Sequence, residues 1–405
     1  MQQLSTVGIA SKTAPPAFPA PSPTRRPRLW SLDRLKVFLT LLVIAHHAGQ
    51  AYGAGGFWVY ENPERWPYLG FFFWVNASFF MGLFFFISAY FFPGSYDRKG
   101  AAAFLMDKAL RFGLPLLIFA LLVNPVLMYL SYINFRGGTL PFAAYYTQIY
   151  FGTAPRPAGL KGPGWPEFNV AHLWFIEHLL VYAVIYAAWR LAWRRPANPG
   201  QAGSSGDAPG DLAILLYAVG LTLVTMLVRT WYPVNKWVFV LGFIQMEPAH
   251  IPQYLSFFIL GAIAMRRGWF QAIPKARGLR WLGAGIGATV AGALIIFRIV
   301  SFGPTAGLVL MSTAESFVAA GFLVGLCTLF RERFNAASPF WQTLGNDAYG
   351  AYLVHVPVVV GLQYAIGGMP AGPVPKFLLV TLVGAPLSFL ISRYLRKMPA
   401  VSRVL

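Results

Sequence analysis

The chain has 405 residues, of which 57% are hydrophobic and only 11% are charged. Ordinary soluble proteins carry about 25% charged residues, and so few charges cannot cover a soluble surface. The composition therefore argues against a cytosolic enzyme and a disordered chain. It also argues against a nucleic-acid-binding domain, although a net charge of +19 would by itself suit one. The single cysteine, Cys327, excludes an internal disulfide and a cysteine-based zinc site, and its apolar neighbours predict a buried small side chain.

Residues 1–28 lack apolar periodicity and contain no acidic residue, which predicts a disordered tail. After this tail come ten apolar segments near the length of about 20 residues that a helix needs to cross a bilayer. They are 30–50, 68–92, 112–133, 170–189, 212–228, 252–265, 281–299, 307–330, 341–366 and 377–392. The sequence therefore predicts an all-α integral membrane protein, a bundle of about ten transmembrane helices over 29–396 with a short cytoplasmic tail at 397–405.

The basic residues predict the orientation of this bundle. If the N-terminus is cytoplasmic and the spans alternate, 24 of the 32 Lys and Arg residues lie inside and eight lie outside, as the positive-inside rule requires. Both termini are therefore expected in the cytoplasm. The long outer loop 134–169 is expected to be functional, and the inner linker 194–211, rich in Gly, Ser, Pro and Ala, is expected to be flexible.

The first span carries Lys36 and, eleven residues later, His47. At roughly 100° per residue this spacing comes within about 20° of three full turns, so both side chains share one face about 16 Å apart, whereas His46 points elsewhere. Ionisable groups inside a membrane segment are costly and are therefore functional candidates. The alternative is a snorkelling lysine together with a hydrogen-bonded structural histidine.

Before the third span stand Lys108 and Arg111, three residues apart and so on one helix face. Two cations at a cytoplasmic mouth suit a phosphorylated ligand, although orientation charges would explain them equally well. Together with Lys36 they predict an anion-binding mouth.

Polar side chains also enter the fourth and ninth spans. His172 and Glu177 are expected in the polar wall of a central cavity, and their spacing does not give the shared face that a zinc site needs, so no metal is expected. Tyr352 and His355 are three residues apart and share a face. A hydrogen-bonded structural role is the alternative for both.

Together these motifs resemble the acyltransferase-3 family of bacterial inner-membrane proteins, and within it the branch that contains glucan biosynthesis protein C. The family pattern of Arg, ten residues and His in the first span corresponds to Lys36 and His47, and the pattern Arg-x-x-Arg to Lys108 and Arg111, with Lys for Arg in each. Similar blocks are Phe-Phe-Phe-Ile-Ser at 84–88, His-Leu-Trp-Phe at 172–175 and Tyr-Leu-Val-His-Val-Pro at 352–357. The resemblance covers about 29–396.

This resemblance implies a multi-pass protein of the bacterial inner membrane that moves an acetyl or succinyl group from cytoplasmic acyl-CoA to a hydroxyl of a glycan or other envelope molecule. The acyl-CoA is a co-substrate, and no tightly bound cofactor is expected. The acceptor meets the membrane domain directly, or a partner protein of envelope biosynthesis delivers it. No nucleic acid is expected as a partner.

The resemblance also implies roles for individual residues. Lys36, Lys108 and Arg111 would hold the phosphates of coenzyme A, and His47 would act as general base, with a covalent acyl-imidazole as the variant mechanism. His355, Tyr352 and His172 are candidates for stabilising the oxyanion. The rival hypothesis is a transporter or flippase of a glycan or small molecule, in which Lys36 and His47 line a translocation path. A third hypothesis is a membrane-embedded sensor or scaffold.

Overall fold

The computed structural model describes residues 28–54, 56–193, 208–300 and 302–405. It is mostly helical, with 72% helix and 2% strand, which confirms the predicted fold class in outline. The tail predicted over 1–28 and the linker predicted over 194–211 lie almost wholly outside the described residues.

The described helices follow the predicted segments in chain order. They are α1 (Trp30–Gln50), α2 (Leu69–Ala77), α3 (Phe80–Tyr90), α4 (Phe92–Lys108), α5 (Leu114–Ile118), α6 (Asn124–Phe135), α7 (Phe142–Ala144), α8 (Trp174–Ala192), α9 (Asp211–Arg229), α10 (Ile251–Arg267), α11 (Trp269–Ala272), α12 (Lys275–Ile296), α13 (Pro304–Arg333), α14 (Pro339–Ala365) and α15 (Pro373–Leu395). Wider π-helical turns join α4 to α5 and α5 to α6. Two short antiparallel strands, β1 (Val238–Val240) and β2 (Ile244–Met246), form a hairpin between α9 and α10.

Eight helical segments of the described chain are long and apolar enough to cross a membrane. They are Leu69–Tyr90, Phe92–Phe135, Ala171–Ala192, Asp211–Arg229, Pro248–Arg267, Lys275–Ile296, Thr305–Arg333 and Pro373–Leu395. The other two predicted spans form α1 and α14, helices of 21 and 27 residues. Both helices contain charged or polar side chains, and together they carry four of the eight predicted site residues, Lys36 and His47 on α1 and Tyr352 and His355 on α14.

One predicted span, 68–92, is interrupted where α2 ends and α3 begins. The backbone leaves the helical conformation at Phe79, with φ −143°. Nε2 of Gln253 donates to the carbonyl oxygen of Ser78 at 2.8 Å, so a backbone group freed by the break finds a partner inside the bundle. Irregular backbone at membrane depth is tolerated when protein groups satisfy it in this way.

Helix α1 lies at the centre of the bundle and packs against α3, α13, α14 and α15. Its apolar side chains, such as Leu35 and Leu39, are completely buried. Helix α10 approaches α3 closely because Gly261 has no Cβ, which would otherwise clash with the carbonyl oxygen of Phe86. The predicted burial of Cys327 is confirmed.

Because consecutive spans run in opposite directions, the loops divide between two faces of the bundle. On one face, α1 begins, α3 meets α4, α10 meets α11 and α15 ends, and residues from all of these places line one cavity. We call it the cavity face. The far face holds the loops 51–68, 136–170 and 230–247.

The loop predicted as functional, 134–169, folds over an aromatic cluster on the far face. Arg136 and Glu167 form an almost fully buried ion pair. Oη of Tyr145 donates to Oε2 of Glu167 at 2.8 Å, and burial together with the Glu167 carboxylate raises the pKa of Tyr145 well above its usual value. These contacts explain why the loop holds a defined shape; its functional role stays a prediction.

Candidate active site

A cavity of about 1590 Å³ opens on the cavity face. Its described lining holds eight basic residues and three acidic ones: Arg28, Lys36, Arg98, Lys99, Lys108, Arg111, Arg266 and Arg396, with Asp33, Asp97 and Asp107. All three cations predicted to hold a phosphorylated ligand line this one cavity. The excess of cations over carboxylates makes its interior favourable for an anion.

The three carboxylates are already paired with some of these cations. Asp33 lies 2.7 Å from Nζ of Lys36, and Asp97 lies 2.7 Å from a guanidinium nitrogen of Arg266. Asp107 lies 2.7 Å from Nζ of Lys99. The lining therefore keeps a positive excess after the carboxylates are neutralised.

Arg111 is the cation best placed for an added anion. Its side chain is exposed, and within the described part of the chain no carboxylate lies at salt-bridge distance from it. Its guanidinium carbon lies 5.3 Å from the ring centre of Tyr349, and the Tyr349 hydroxyl donates to the Arg111 carbonyl oxygen. The ring thus orients a guanidinium whose hydrogen-bond donors remain available for phosphate oxygens.

Lys108 is held differently from Arg111. It is only 8% exposed, and its ammonium lies 5.1–5.4 Å from the ring centres of Phe92, Phe104 and Phe112. It also lies 3.3 Å from Asp107. The sequence places Lys108 beside Arg111 on one face, but the structure gives Lys108 a cation–π cage of its own, so it contributes charge rather than a free donor.

At the opposite end of α1, His47 meets two other histidines. The ring centre of His355, in α14, lies 4.9 Å from that of His47, and the ring centre of His172, just before α8, lies 4.7 Å from that of His355. Nδ1 of His47 lies 3.0 Å from Nε2 of His355 and 3.0 Å from the carbonyl oxygen of Val43. We call these three residues the histidine cluster.

The hydrogen bonds assign the tautomers of the neutral rings. The carbonyl oxygen of Tyr352 lies 2.6 Å from Nδ1 of His355 and can only accept, so His355 carries its proton on Nδ1 and its Nε2 is an acceptor. His47 therefore donates from Nδ1, to Val43 and His355. Its Nε2 is left unprotonated, the form that a general base requires.

A proline in α14 explains the position of His172. Pro357 has no N–H, so the carbonyl oxygen of Leu353, four residues earlier, loses its helical partner. Nε2 of His172 lies 3.3 Å from that oxygen and donates to it. The helix thus satisfies a freed carbonyl group with a histidine of the cluster.

The residues predicted as candidates for stabilising an oxyanion already donate their hydrogen bonds to backbone carbonyl oxygens. The hydroxyl of Tyr352 donates to the carbonyl oxygen of His172 at 2.5 Å. Nε2–H of His172 is used by Leu353, and Nδ1–H of His355 is used by Tyr352. The shared face predicted for Tyr352 and His355 brings them to one side of α14, and the packing of the helices adds His172. All three have hydrogen-bond partners within the protein.

The cavity and the histidine cluster are neighbours rather than one space. The described lining reaches Thr40 on α1 and ends at the rings of Phe84, Phe175 and Tyr352. Thr40 is seven residues before His47, which is about 10 Å along the helix on nearly the same face. Lys36, Thr40 and His47 therefore form one line from the charged mouth to the cluster.

Two polar residues of the sequence lie outside this line. His46 packs among the rings of Phe72, Phe73 and Phe80, as expected for a side chain on another face of α1. Glu177 was expected in the cavity wall beside His172. The structure instead turns it toward the β-hairpin, where its Oε2 accepts from the backbone N–H of Gln245 at 2.9 Å, because five residues of helix rotate it away from His172.

Three residues near the site were missed by sequence reasoning. Trp58 stacks on His47 with ring centres 5.5 Å apart and planes inclined by 24°, and its Nε1 donates to Oε1 of Gln363 at 2.8 Å. Gln363, completely buried in an apolar run, was a detectable signal because a lone amide there is costly. Arg28, at the cavity mouth, donates to Oδ1 of Asn346 at 2.8 Å; nothing in the local sequence marks it.

The described side chains of the histidine cluster are not arranged around a common point. Across residues 28–54, 56–193, 208–300 and 302–405, no group of three or more His, Cys, Asp or Glu side chains is arranged to hold a metal ion. In the cluster, two ring nitrogens share a hydrogen bond instead of facing a common point.

A family model described as an acyltransferase domain, that of the acyltransferase-3 family, matches residues 29–393. The chain belongs to the acyltransferase-3 family. No curated protein and no solved structure shows a significant match. The family and the helical, membrane-type architecture together support a membrane acyltransferase, and the cation-lined cavity beside the histidine cluster is the candidate active site of this family member.

Proposed function

We propose that the protein is an O-acyltransferase of the bacterial inner membrane that moves an acetyl or succinyl group from cytoplasmic acyl-CoA to a hydroxyl of a glycan or other envelope molecule. The observation that carries the proposal is the line from Lys36 through Thr40 to His47 on α1. It leads from a cation-lined cavity toward a histidine that donates from Nδ1 and therefore has an unprotonated Nε2. The resemblance of the same motifs supports assignment to the branch that contains glucan biosynthesis protein C.

The donor would enter from the cavity face. Coenzyme A carries a pyrophosphate and a 3′-phosphate, and a cavity of about 1590 Å³ with a cationic excess suits a ligand of this size and charge. Arg111 and Lys36 would contact phosphate oxygens, and Lys108 would add charge behind them. The pantetheine arm would follow α1 past Thr40 toward His47.

The chemical step needs one base. The acceptor hydroxyl attacks the thioester carbonyl while Nε2 of His47 takes its proton. The tetrahedral intermediate collapses, the C–S bond breaks, and the coenzyme A thiolate takes the proton from His47 as it leaves. The Nδ1–H of His47 stays bonded to Val43 and His355 throughout, which fixes the ring and stabilises the imidazolium that forms briefly.

The thioester must pass a layer of aromatic rings. Phe84, Phe175 and Tyr352 close the deep end of the cavity, with ring centres of Phe175 and Tyr352 5.8 Å apart. Side-chain rotation in this layer would admit the acyl group to the cluster only when the arm is in place. Such a layer keeps water from the thioester until the acceptor is bound.

The test uses membrane vesicles that contain the full-length protein. Acetyl-CoA and succinyl-CoA, each labelled in the acyl group, are added on the cytoplasmic side, and release of free thiol and transfer of label to the envelope fraction are followed together. We expect both signals for one donor, and neither in vesicles with His47→Ala at the same protein level. Mass spectrometry of envelope glycans then identifies the modified acceptor.

The rival hypothesis predicts a different outcome. A transporter or flippase would move a glycan or small molecule across the vesicle membrane without thiol release. Transport without consumption of either acyl-CoA would overturn the proposal.

A further inference from the structure

The β-hairpin on the far face has an unusual turn. Strands β1 and β2 pair from Val238 and Met246 to Val240 and Ile244. Leu241 and Gly242 follow β1 with φ of 55° and 81°, and the N–H of Phe243 donates to the carbonyl oxygen of Val240. Because Val240 pairs with Ile244, the loop has three residues, and the first two have positive φ, a backbone conformation that favours Gly and Asn.

Leucine is a poor residue for this turn. The left-handed conformation brings its Cβ against the following carbonyl oxygen, whereas Asn tolerates it. Leu241 is also the most exposed large hydrophobic residue in the described part of the chain, at 79%. The sequence therefore accepts a backbone strain in order to present a leucine outward, which points to an apolar partner at the tip.

The neighbouring side chains have the composition of a membrane interface. Val240 and Phe243 are exposed beside Leu241. Trp231, likewise exposed, follows the end of α9, and Nζ of Lys236 lies 5.1 Å from the ring centre of Tyr232. Trp, Tyr and Lys around an apolar tip are typical of segments that lie where acyl chains meet headgroups.

The other side of the hairpin is fixed to α8. The backbone N–H of Gln245 donates to Glu177 at 2.9 Å, and Nε2 of His178 donates to the Gln245 carbonyl oxygen at 3.1 Å. Oε1 of Gln245 accepts from the N–H of Val170 at 3.2 Å. Side chains of α8 thus bond the backbone of β2 at the edge that does not face β1. The side chain of Gln245 in turn bonds Val170, in the segment directly before His172.

We propose that the hairpin is a membrane-interface anchor that inserts Leu241 and Phe243 into the lipid leaflet on the far face and, through Gln245, positions the turn that carries His172. The partner is the glycerol and upper acyl-chain region of phospholipids. Continuity supports lipid: the segments Asp211–Arg229 and Pro248–Arg267, which flank the hairpin, are both long and apolar enough to span the membrane. Glu177 and His178 are positioning residues in this arrangement.

The placement of the tip is tested by spin labelling in lipid nanodiscs that hold one copy of the protein. Cys327 is the single cysteine and is buried, so Cys327→Ala gives a background for Leu241→Cys and Phe243→Cys. Reference labels replace Leu382, exposed on α15, and Ala158, exposed in a loop of the far face. Collisions with oxygen report lipid, and collisions with a water-soluble nickel chelate report solvent.

The proposal expects labels at Leu241 and Phe243 to be accessible to oxygen and protected from the chelate, as at Leu382. Access to the chelate equal to that at Ala158 would put the tip in water and overturn the proposal. Protection from both reagents would also overturn it, because the tip would then be buried against protein.

The substitution Leu241→Asn distinguishes a role of Leu241 in lipid insertion from a role in the stability of the fold. Asn suits positive φ better than Leu, so we expect an unchanged or raised Tm in detergent, while the label at Phe243 in nanodiscs becomes accessible to the chelate. A fall in Tm of several degrees with an unchanged label would show that Leu241 serves the fold and would overturn the proposal. The labels need no acyl transfer, so failure of the acyltransferase proposal leaves this test intact.

Discussion

Nε2 of His355 lies 3.0 Å from Nδ1 of His47, although 308 residues separate them in the chain. The bond is directional, because the carbonyl oxygen of Tyr352 holds the proton of His355 on Nδ1. His47 is therefore the donor in this pair, and its other nitrogen is free to accept a proton. In catalytic triads a carboxylate accepts a hydrogen bond from the histidine base and orients it. Here the neutral imidazole of His355 has that position relative to His47.

The first prediction concerns His47. His47→Ala should lower the acyl-transfer rate by roughly 10²- to 10⁴-fold, the usual contribution of a general base, with donor binding unchanged. His47→Gln keeps hydrogen bonding but no basic nitrogen, so it should be as inactive as Ala. His46→Gln is the matched control and should be milder, because His46 packs among phenylalanine rings. Substantial transfer by His47→Gln at matched protein level would falsify the assignment.

The second prediction separates a positioning role of His355 from a catalytic one. His355→Ala removes an acceptor for Nδ1–H of His47, and we expect kcat to fall while the Kd for the donor persists. His355→Gln restores an acceptor oxygen and an N–H for Tyr352, so it should recover part of the lost rate. Equal loss of activity in the Ala and Gln variants would make His355, rather than His47, the candidate base.

The third prediction concerns the donor site. Arg111→Ala and Lys36→Ala should each weaken coenzyme A binding, because a charge-assisted hydrogen bond contributes roughly 1.5–3 kcal/mol. The lower value applies to Lys36, because its ammonium is already paired with Asp33. Lys36→Arg should bind as well or better, since the guanidinium contacts phosphate with two donors.

Calorimetry of coenzyme A binding in detergent measures these changes. Arg333→Ala is the control, because it removes the same charge from an exposed position at the end of α13 that is absent from the described cavity lining. Unchanged affinity in both Lys36→Ala and Arg111→Ala would remove these residues from the donor site.

Much of the helical architecture was predictable because a membrane span must satisfy its backbone internally and be apolar over about 20 residues. What the apolar pattern could not show is where a span is interrupted. At the break near Phe79, Gln253 donates to the carbonyl oxygen of Ser78, a contact between residues 175 positions apart. Local hydropathy carries no information about such a contact.

The sequence could predict which site residues share a face of one helix, but not which residues of different helices meet. The period of the helix places Lys36 and His47 on one face, and it places Tyr352 beside His355. The bond between His47 and His355 depends on how α1 packs against α14, and the turn of Glu177 toward the hairpin depends on where β2 lies. Both are tertiary relationships, so the spacing of residues within one segment could not reveal them.

The fourth prediction concerns topology. The distribution of basic residues, 24 inside and eight outside, predicts that a reporter fused after Arg403 is cytoplasmic and that one inserted near Gly162 is external. Alkaline phosphatase and green fluorescent protein fusions in membranes measure the two sides independently. An external signal from the fusion after Arg403 would contradict both the orientation and the entry of the donor from the cavity face.

The last prediction concerns Pro357, whose missing N–H leaves the carbonyl oxygen of Leu353 to His172. Pro357→Ala supplies an N–H four residues after Leu353, and this N–H should take that oxygen and release His172. Because proline costs about 3 kcal/mol relative to alanine inside a helix, Tm in detergent should stay the same or rise. The transfer rate should nevertheless fall, by roughly 2- to 12-fold, as expected for the loss of one hydrogen bond worth about 0.5–1.5 kcal/mol.

A matched control is Pro386→Ala in α15, another proline inside a helix but exposed on the outside of the bundle. It should give a similar change in Tm with full activity, because no histidine of the cluster depends on it. Rates and Tm of the two variants, measured in the same preparation, separate helix stability from the position of His172. If Pro357→Ala transferred acyl groups as fast as the native protein, the bond between His172 and Leu353 would have no part in catalysis.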